Sequence, residues 1–410
     1  MRQLLKRLAI AFLLLLVAGL ALVLLATDET ALVDRGEAIS PDSVAQAKRL
    51  LANNDPRRQQ AGEVRTVTIP AALIDEATNY VASRYLNGRG SFSQTESNGD
   101  IWTSIAVPGK RFLNLNTRIQ AINGQPKITQ AKLGSLELPT TLVEFAIARM
   151  VATYGYDKEW QLAAKAIQKI AFEPNAGTIS VTYIWEPMIL DRARAVAMQE
   201  DDVKRLHTAQ KSLAALVAHR ATGSRITLAE ILEAIIPVAG GDTFKQGRAG
   251  LLVLASLMAG KDLAALVPAA KGWPRVRWVH VTLAGRHDLA QHFLISATLA
   301  AWAGEPVADA IGLYKELEDA RHGSGFSFID LAADRAGTRF GTILTKDPER
   351  LIDTMKNNFG DKQLLPPVAD LPEFLHQEEF ERRFENRESP AFQAMQVEIE
   401  RRLDTLALYR

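Results

Sequence analysis

The sequence predicts an α+β fold with an N-terminal transmembrane helix, an antiparallel β-rich membrane-proximal domain and a mostly α-helical C-terminal domain. Three observations support this prediction. Residues 8–26 form an uncharged apolar run. Residues 63–139 alternate apolar and polar side chains around Asn-Gly turns, a pattern typical of antiparallel strands. From Thr140 onward, and throughout residues 225–360, apolar side chains recur at helical spacing.

Composition limits the possible functions before any motif is considered. The chain has 410 residues, enough for two or three domains, and 47% hydrophobic residues exclude a mainly disordered protein. Lys and Arg number 48 against 47 Asp and Glu, so the net charge is +1. Because nucleic-acid binding needs a basic surface, we expect no nucleic-acid partner. The absence of cysteine excludes disulfides, thiolate metal ligands and a cysteine nucleophile.

The apolar run at residues 8–26 is about long enough to cross a bilayer as a helix. Basic residues precede it and acidic residues follow it, which predicts a cytoplasmic N-terminus with the rest of the chain on the other side. A cleaved signal peptide is the alternative. The run is longer than a normal signal-peptide core, however, and Leu24-Leu25-Ala26-Thr27 is a poor cleavage site. We therefore predict an anchor comprising residues 1–27.

The next part of the chain is predicted to be a helical linker followed by the β-rich domain. Within the linker, residues 28–62, Ser40-Pro41 marks the start of a helix that ends near Asn53. In the β-rich domain, residues 63–185, two hairpins are expected, one turning at Asn98-Gly99 and one at Asn123-Gly124-Gln125-Pro126. The other expected elements are strands at 63–69 and 178–185 and helices at 70–85, 140–154 and 157–173.

One segment of this domain resembles known extracytoplasmic proteins. Arg111-Phe112-Leu113-Asn114-Leu115 and Ala131-Lys132-Leu133-Gly134-Ser135-Leu136-Glu137-Leu138-Pro139 are similar to segments of YpmS-like proteins and of tubular lipid-binding domains. The resemblance implies a curved sheet that could hold a lipid or a glycan. The alternative is a plain sheet that packs on its neighbours.

The C-terminal half is predicted to form a helical domain, residues 186–360, and a charged helical tail, residues 361–410. The apolar segment 249–260 is too short to cross a membrane and is interpreted as a buried helix. The tail is rich in Glu and Arg, with phenylalanines interleaved. It is expected either to present a docking stripe to an envelope protein partner or to be a packed terminal helix.

Titratable residues cluster between residues 280 and 334. Four of the seven histidines lie there, namely His280, His287, His292 and His322. Three pairs have helical spacing and so share helix faces: Asp288 with His292, Glu316 with Asp319, and Asp330 with Asp334. The helix around His292 is almost wholly apolar, so Gln291, His292 and Ser296 are expected to enter a core, where polar groups need partners. A cluster between three helices would provide them.

Two kinds of chemistry are compatible with such a cluster. A divalent metal such as zinc could activate water, with ligands from His287, His292, Glu316, Asp319 and Asp330. Without a metal, Glu316 would be the main acid/base and Asp330 its partner, on a glycosidic bond. The candidate catalytic residues are Glu316, Asp330, Asp334 and His292, and the candidate substrate-binding residues are Lys315, Ser324, Ser327 and Arg335.

Structural roles are possible for several of these residues. Ser327 and Asp330 have the spacing of a capping box. Asp319 has the spacing to form an exposed ion pair with Lys315, and His287 could cap a helix.

The same residues resemble a known signature. Asp288-x-x-x-His292-Phe293, Lys315-Glu316-x-x-Asp319 and Ser327-x-x-Asp330-x-x-Ala333-Asp334-x-x-Gly337 occur in the order found in YfiM-like and VanZ-like envelope proteins. Asp334 replaces the asparagine usual in that signature, and the membrane-spanning setting of those families is lacking. The resemblance implies a site and does not identify a reaction. Residues 292–341 also resemble uncharacterised anchored proteins of proteobacteria, which implies the inner membrane and a periplasmic location.

Together these inferences predict a membrane-anchored periplasmic hydrolase or lyase that acts on peptidoglycan or another envelope glycan. The alternative is a non-catalytic envelope-assembly or lipid- or glycan-binding protein, in which the same cluster is a structural polar network.

Overall fold

The computed structural model describes residues 19–55, 60–153, 155–185, 200–237, 242–261, 263–265, 267–357 and 359–410. The chain divides into two compact units. The first contains residues 1–37 and 45–196, and the second contains residues 38–44 and 197–410. The structure is α+β with mainly antiparallel strands.

The predicted transmembrane helix is contradicted. Residues 8–18 of that segment lie outside the described residues, and residues 19–26 are helical. In the part of the chain that the structure describes, no helix combines the length and apolar character that a membrane span requires. The single-pass inner-membrane localisation with a periplasmic C-terminal bulk, which rested on that helix, is corrected accordingly.

The first unit contains two antiparallel sheets, one ordered β2-β3-β4-β5-β6 and the other β1-β8-β7. Its strands are β1 (Val64–Pro70), β2 (Gly88–Gln94), β3 (Asn98–Val107), β4 (Arg111–Ile122), β5 (Gln125–Leu133), β6 (Leu136–Glu137), β7 (Ile167–Glu173) and β8 (Thr178–Ile184). Helix α1 (Pro41–Asn53) precedes them, and α2 (Ala71–Leu86), α3 (Thr140–Thr153) and α4 (Asp157–Ala166) lie between strands.

Two expectations for this unit are wrong. Asn98-Gly99 does not form the hairpin turn but lies inside β3, while the turn is formed by residues 95–97. A Cβ at position 99 would lie 2.8 Å from the rings of Phe92 and Phe172, so this glycine makes room for packing. The predicted helix 157–173 ends at Ala166, and its second half is strand β7. By contrast, the second turn lies at Asn123 and Gly124, both with positive φ.

The second unit is mostly helical, with a two-stranded parallel sheet formed by β9 (Arg225–Thr227) and β10 (His280–Thr282). Its helices are α5 (Glu200–Val217), α6 (Leu228–Ile235), α7 (Thr243–Met258), α8 (His287–Ala303), α9 (Glu305–His322), α10 (Phe328–Lys346), α11 (Pro348–Lys356), α12 (Asp361–Leu364), α13 (Gln377–Phe384) and α14 (Pro390–Leu403). Gly337 and Gly341 of α10 lie against the backbone of Phe293 and Ala297 in α8, where a Cβ would collide with a carbonyl oxygen. These glycines therefore bring α8 and α10 into close contact.

The charged tail packs on its own unit. Phe380, Phe384 and Phe392 are buried and form ring contacts with Phe326 and Phe328. These three side chains are thus part of the core of the second unit, whereas Phe374 of the same tail is 63% exposed, and a partner for the tail stays a prediction.

Candidate functional site

The candidate site lies where α8, α9 and α10 meet in the second unit. Helix α9 ends at His322, and a short loop leads to Ser327, the N-cap of α10, whose hydroxyl accepts a hydrogen bond from the Asp330 amide at 3.0 Å. This cap fixes the first turn of α10 beside α8. We call the side chains that converge here the His292 cluster; they are His292, Lys315, Glu316, Asp319, Asp330 and Asp334.

His292 is held from its buried side by Asp334. The Nδ1 atom of His292 lies 3.1 Å from Oδ2 of Asp334, and Ser296 donates a hydrogen bond to the other oxygen of Asp334 at 2.7 Å. His292 and Asp334 are only 8% and 5% exposed. Since a carboxylate accepts hydrogen bonds, this contact assigns the proton to Nδ1 and leaves Nε2 free to interact on the other side.

The Nε2 atom of His292 faces the partly exposed side of the cluster, formed by Lys315 and Asp319, which we call the opening. It lies 3.2 Å from Nζ of Lys315 and 3.7 Å from Oδ2 of Asp330. The Lys315 side chain is 50% exposed, and its ammonium group also donates to Asp319 at 2.7 Å. Solvent therefore reaches the cluster past Lys315 and Asp319.

Glu316 lies beneath this opening and is fully buried, with an exposed fraction of 0%. Its Oε2 atom accepts a hydrogen bond from the Ser327 amide at 3.1 Å, and its Oε1 atom lies 3.3 Å from Nζ of Lys315. Burial raises the pKa of Glu316 to about 7, although the charges of Lys315 and His292 act in the opposite direction.

Two further groups of the cluster have shifted pKa values. Burial alone would lower the pKa of His292, but the charges of Asp334 and Asp330 outweigh it and raise that pKa to about 9. Burial also raises the pKa of Asp330, against the opposing charge of His292. The raised pKa values of Glu316 and Asp330 move these carboxyl groups towards physiological pH, whereas His292, with a pKa of about 9, is mainly protonated there.

Lys315 and a proton compete for the Nε2 atom of His292. At 3.2 Å the ammonium group of Lys315 donates to Nε2 only while that nitrogen is unprotonated. Protonation of His292 would place two positive charges in contact and push Lys315 towards Asp319. The geometry thus couples the charge of the histidine to the position of the lysine.

Arg286 forms the outer rim of the cluster. Its guanidinium group binds the carboxylates of Asp288 and Glu373 and lies 3.9 Å from Oδ1 of Asp330. That Asp330 oxygen is buried, and among the described residues it has no hydrogen-bond partner. Asp330 therefore has one buried oxygen whose hydrogen-bonding capacity is unused beside the more distant charge of Arg286.

Two groups of side chains have ligand atoms within 4.8 Å of one another, as a metal site requires: His292 with Glu316 and Asp330, and Asp288 with Asp330 and Glu373. The first combines nitrogen and oxygen donors that suit zinc or manganese. However, the ammonium group of Lys315 already contacts His292 and Glu316, and Arg286 lies among the carboxylates of the second group. A metal ion in the first group would have to displace Lys315.

The structure does not bring every predicted site residue into the cluster. His287 is exposed and its Nδ1 atom contacts the backbone oxygen of Val281 at 2.8 Å, and among the described residues it belongs to neither group of possible metal ligands given above. Ser324 is exposed in the loop after α9, and Ser327 acts as the cap described above.

Arg335 also lies elsewhere. It points away from His292 and binds the carboxylates of Asp309 and Glu400. Adjacent positions on a helix differ by about 100° in direction, which is why Asp334 enters the cluster and Arg335 does not. The structure therefore places Arg335 outside the His292 cluster, and its role in substrate binding stays a prediction.

Sequence reasoning missed Arg286 and Glu373. Arg286 directly precedes the His287-Asp288 pair, so its position next to a charged helix start was a possible signal. Glu373 comes from the tail, and only the folded structure brings it to the rim.

Comparison with known proteins gives no further guidance. No family model, no curated protein and no solved structure matches this chain. The resemblances to YfiM-like, VanZ-like and YpmS-like proteins stay predictions.

Proposed function

We propose that the second unit is a hydrolase or lyase in which His292 and Asp330 transfer the proton. One observation carries this proposal: Nε2 of His292 faces the opening, 3.7 Å from Asp330 and 3.2 Å from Lys315, while buried Asp334 holds Nδ1. A histidine oriented by a carboxylate on one nitrogen presents the other nitrogen as a base.

Each group at the opening has a role in a hydrolytic step. In its unprotonated form, which grows as the pH rises towards its pKa of about 9, His292 takes a proton from water at Nε2 while the water oxygen attacks the substrate. Asp330, whose pKa is raised by burial, gives its proton to the leaving oxygen. The ammonium group of Lys315 stabilises negative charge that develops on the substrate. The proton on His292 then returns to Asp330 or to solvent, which restores the starting state.

Glu316 has a different role in this proposal from the one expected from the sequence. A side chain that is 0% exposed cannot touch a polymer, so Glu316 is not the group that protonates the substrate. Its buried carboxyl instead sets the charge next to Lys315 and His292, because a pKa of about 7 lets it change between neutral and negative forms near neutral pH. The acid that contacts the substrate is Asp330.

A glycan is retained as the proposed substrate class. Glycoside cleavage uses two carboxyl groups in unlike environments. Asp330 and Asp319 both reach the opening, with side chains 14% and 29% exposed. The pKa of Asp330 is raised by burial, whereas Asp319 is bound to an ammonium group.

The experiment measures new reducing ends released by the purified full-length protein from insoluble peptidoglycan and from soluble neutral and acidic polysaccharides. We expect Asp330→Asn and His292→Gln each to lower the rate by about 100-fold or more, the size usual for a proton-transferring group. The matched controls are Asp353→Asn and His376→Gln, which alter exposed residues of the same types. Full activity of the Asp330→Asn protein would overturn the proposal.

A metal-dependent form of the reaction is tested in the same assay. Activity that is lost with EDTA and restored by Zn²⁺ would place a metal at His292, Glu316 and Asp330. Activity that is indifferent to EDTA would support proton transfer by the side chains alone.

One observation favours the second candidate, a non-catalytic structural network. Both oxygens of Glu316 are engaged by other groups of the protein, at 3.1 and 3.3 Å, as in a buried polar network that stabilises a fold. If the wild-type protein cleaves none of the polymers and the three variants Glu316→Gln, Asp330→Asn and His292→Gln change only its stability, the network interpretation replaces the enzymatic one.

A further inference from the structure

An exposed row of aromatic side chains runs along the surface of the second unit towards the rim of the His292 cluster. Trp278 is 52% exposed, and its ring lies 4.3 Å from that of His280. The ring of His280 lies 5.8 Å from that of His287, which begins α8. The next residues in the chain on either side of His287 are Arg286 and Asp288, which belong to the rim. The row thus connects an open surface with the candidate site.

The backbone beneath this row holds it in place. His280 of β10 pairs in parallel with Arg225 of β9, and the next residues, Ile226 and Val281, are buried in the core. Since side chains alternate along a strand, Arg225 and His280 share the outer face. A Cβ at Gly223 would lie 3.0 Å from the indole of Trp278, so the ring packs directly over that glycine.

The same surface carries positive charge that lacks a partner. Arg225, Arg275 and Arg277 are exposed, and in the part of the chain that the structure describes no carboxylate lies within ion-pair distance of them. Arg220 nearby is neutralised by Glu230, whereas the guanidinium group of Arg277 donates only to the backbone oxygen of Arg220, at 2.8 Å. This differs from most of the surface arginines in the tail, which are paired with acids.

We propose that this surface binds an anionic oligosaccharide. The apolar faces of the sugar rings would stack on Trp278 and His280, and their carboxylates would be bound by Arg225 and Arg277. One end of the chain would lie over His287 and so reach Asp330. The inference rests on the proposed function, because it names the substrate class and the binding surface of that same site.

The charge of the protein favours a saccharide over a nucleic acid. A nucleic acid carries one phosphate per nucleotide, and its binding depends on many cationic contacts. The protein has a net charge of +1, and this surface offers only three free arginines. Sparse carboxylates on sugar rings match that number. The three aromatic rings meet edge to face, at interplanar angles of 67° and 89°, so they offer separate faces to successive sugars.

The test is a titration of the full-length protein with hexagalacturonate, followed by tryptophan fluorescence and calorimetry at low salt. Neutral chitohexaose and a dT hexamer are the comparison ligands. We expect Trp278→Ala to weaken hexagalacturonate binding about tenfold through loss of stacking. The double variant Arg225→Gln/Arg277→Gln should weaken it by a similar factor and reduce its salt dependence. Trp160→Ala and Arg382→Gln, which alter an equally exposed tryptophan and an exposed arginine elsewhere, should leave it unchanged.

Three results would overturn this inference: no binding of hexagalacturonate, equal binding by the wild type and Trp278→Ala, or tighter binding of the dT hexamer, which would indicate a nucleic-acid surface. Asp330→Asn separates this inference from the proposed function. If that variant keeps full activity while Trp278→Ala loses binding, the catalytic proposal fails and the surface stands. If Asp330→Asn loses activity while Trp278→Ala binds normally, the surface fails and the catalytic proposal stands.

Discussion

Helix α10 contributes to two charged clusters that differ in the kind of cation they contain. Asp334 enters the His292 cluster, where the cations are a histidine and a half-exposed lysine. The next residue, Arg335, binds Asp309 and Glu400, and one turn later Arg339 binds Glu400 and Asp404. We call this second group of five residues the Arg335 cluster.

The difference separates fixed charge from exchangeable charge. A guanidinium group stays protonated at all physiological pH values, and both arginines of the Arg335 cluster contact more than one carboxylate. The Arg335 cluster therefore joins α9, α10 and α14 through cations whose charge does not change, although burial raises the pKa of Asp309. In the His292 cluster, a pKa of about 7 allows Glu316 to change its charge near neutral pH, and a pKa of about 9 allows His292 to do so at mildly alkaline pH. We therefore infer a structural role for the Arg335 cluster and proton exchange for the His292 cluster.

The largest expected effect is on the Arg335 cluster. Arg335→Met leaves two carboxylates without their main partner in a partly buried site, which is expected to lower the free energy of unfolding by about 3 to 5 kcal/mol at pH 7. Urea unfolding measures the change. Arg382→Met, at an exposed arginine, is the matched control. A loss below about 1 kcal/mol would show that the Arg335 cluster is not structural.

The second effect is a pH dependence that belongs to Glu316. Because its folded pKa of about 7 is raised above the usual value of 4.5, its contribution to stability is fully present below pH 4.5 and is lost as the pH rises through 7. The shift corresponds to about 3 kcal/mol. In Glu316→Gln, urea unfolding between pH 5 and 8 should lack this decline, so the variant gains stability relative to the wild type at pH 8.

Glu318→Gln is the matched control, because Glu318 lies on the same helix with a side chain that is 38% exposed. It should retain the pH dependence of the wild type. His292 adds a decline of its own between about pH 6.5 and 9, because its contribution is fully present below its usual pKa of 6.5 and is lost as the pH rises through about 9. The wild type and both variants share this decline, so the difference between their curves reports Glu316. Parallel curves for Glu316→Gln and the wild type would contradict the assignment.

The third effect is local to His292. Asp334→Asn removes the buried negative charge beside Nδ1 but leaves an oxygen that can accept its hydrogen bond. The pKa of His292 is then expected to fall by about one unit or more, because burial lowers it once that charge is gone. Titration of the histidine ring protons by NMR measures this value. An unchanged pKa would mean that Asp330, and not Asp334, controls the charge of the ring.

The sequence predicts which residues form the His292 cluster better than it predicts which of them solvent can reach. Spacings of three and four residues are local properties of a helix, so they predict that His292, Glu316, Asp330 and Asp334 share faces that can converge. Burial is not local: Glu316 is inaccessible only in the folded unit, where its Oε2 atom accepts a hydrogen bond from the Ser327 amide.

The same distinction applies to the fold. The helical spacing around His292 and the turn at Asn123-Gly124 could be predicted because each depends on neighbouring residues. The strand at Ile167–Glu173 could not, because its pairing with β8 overrides a helical pattern. Asn98-Gly99 predicts a turn in the sequence, but Gly99 accommodates the ring of Phe92 from the neighbouring strand and the ring of Phe172 from a distant part of the chain.

The smallest expected effect on stability tests the exchangeable character of the His292 cluster most directly. Lys315→Met removes an ammonium group that is half exposed, so the free energy of unfolding should change by less than about 1 kcal/mol. Lys245→Met, at a similarly exposed lysine that pairs with Asp242, is the matched control. Without its ammonium group, the cluster exposes His292, Glu316 and Asp330 as a set of metal donors. Zn²⁺ should therefore raise the melting temperature of Lys315→Met more than that of the wild type or of Lys245→Met. A stability loss above about 2 kcal/mol would instead make Lys315 a fixed structural cation, like Arg335, and the distinction between the two clusters would fail.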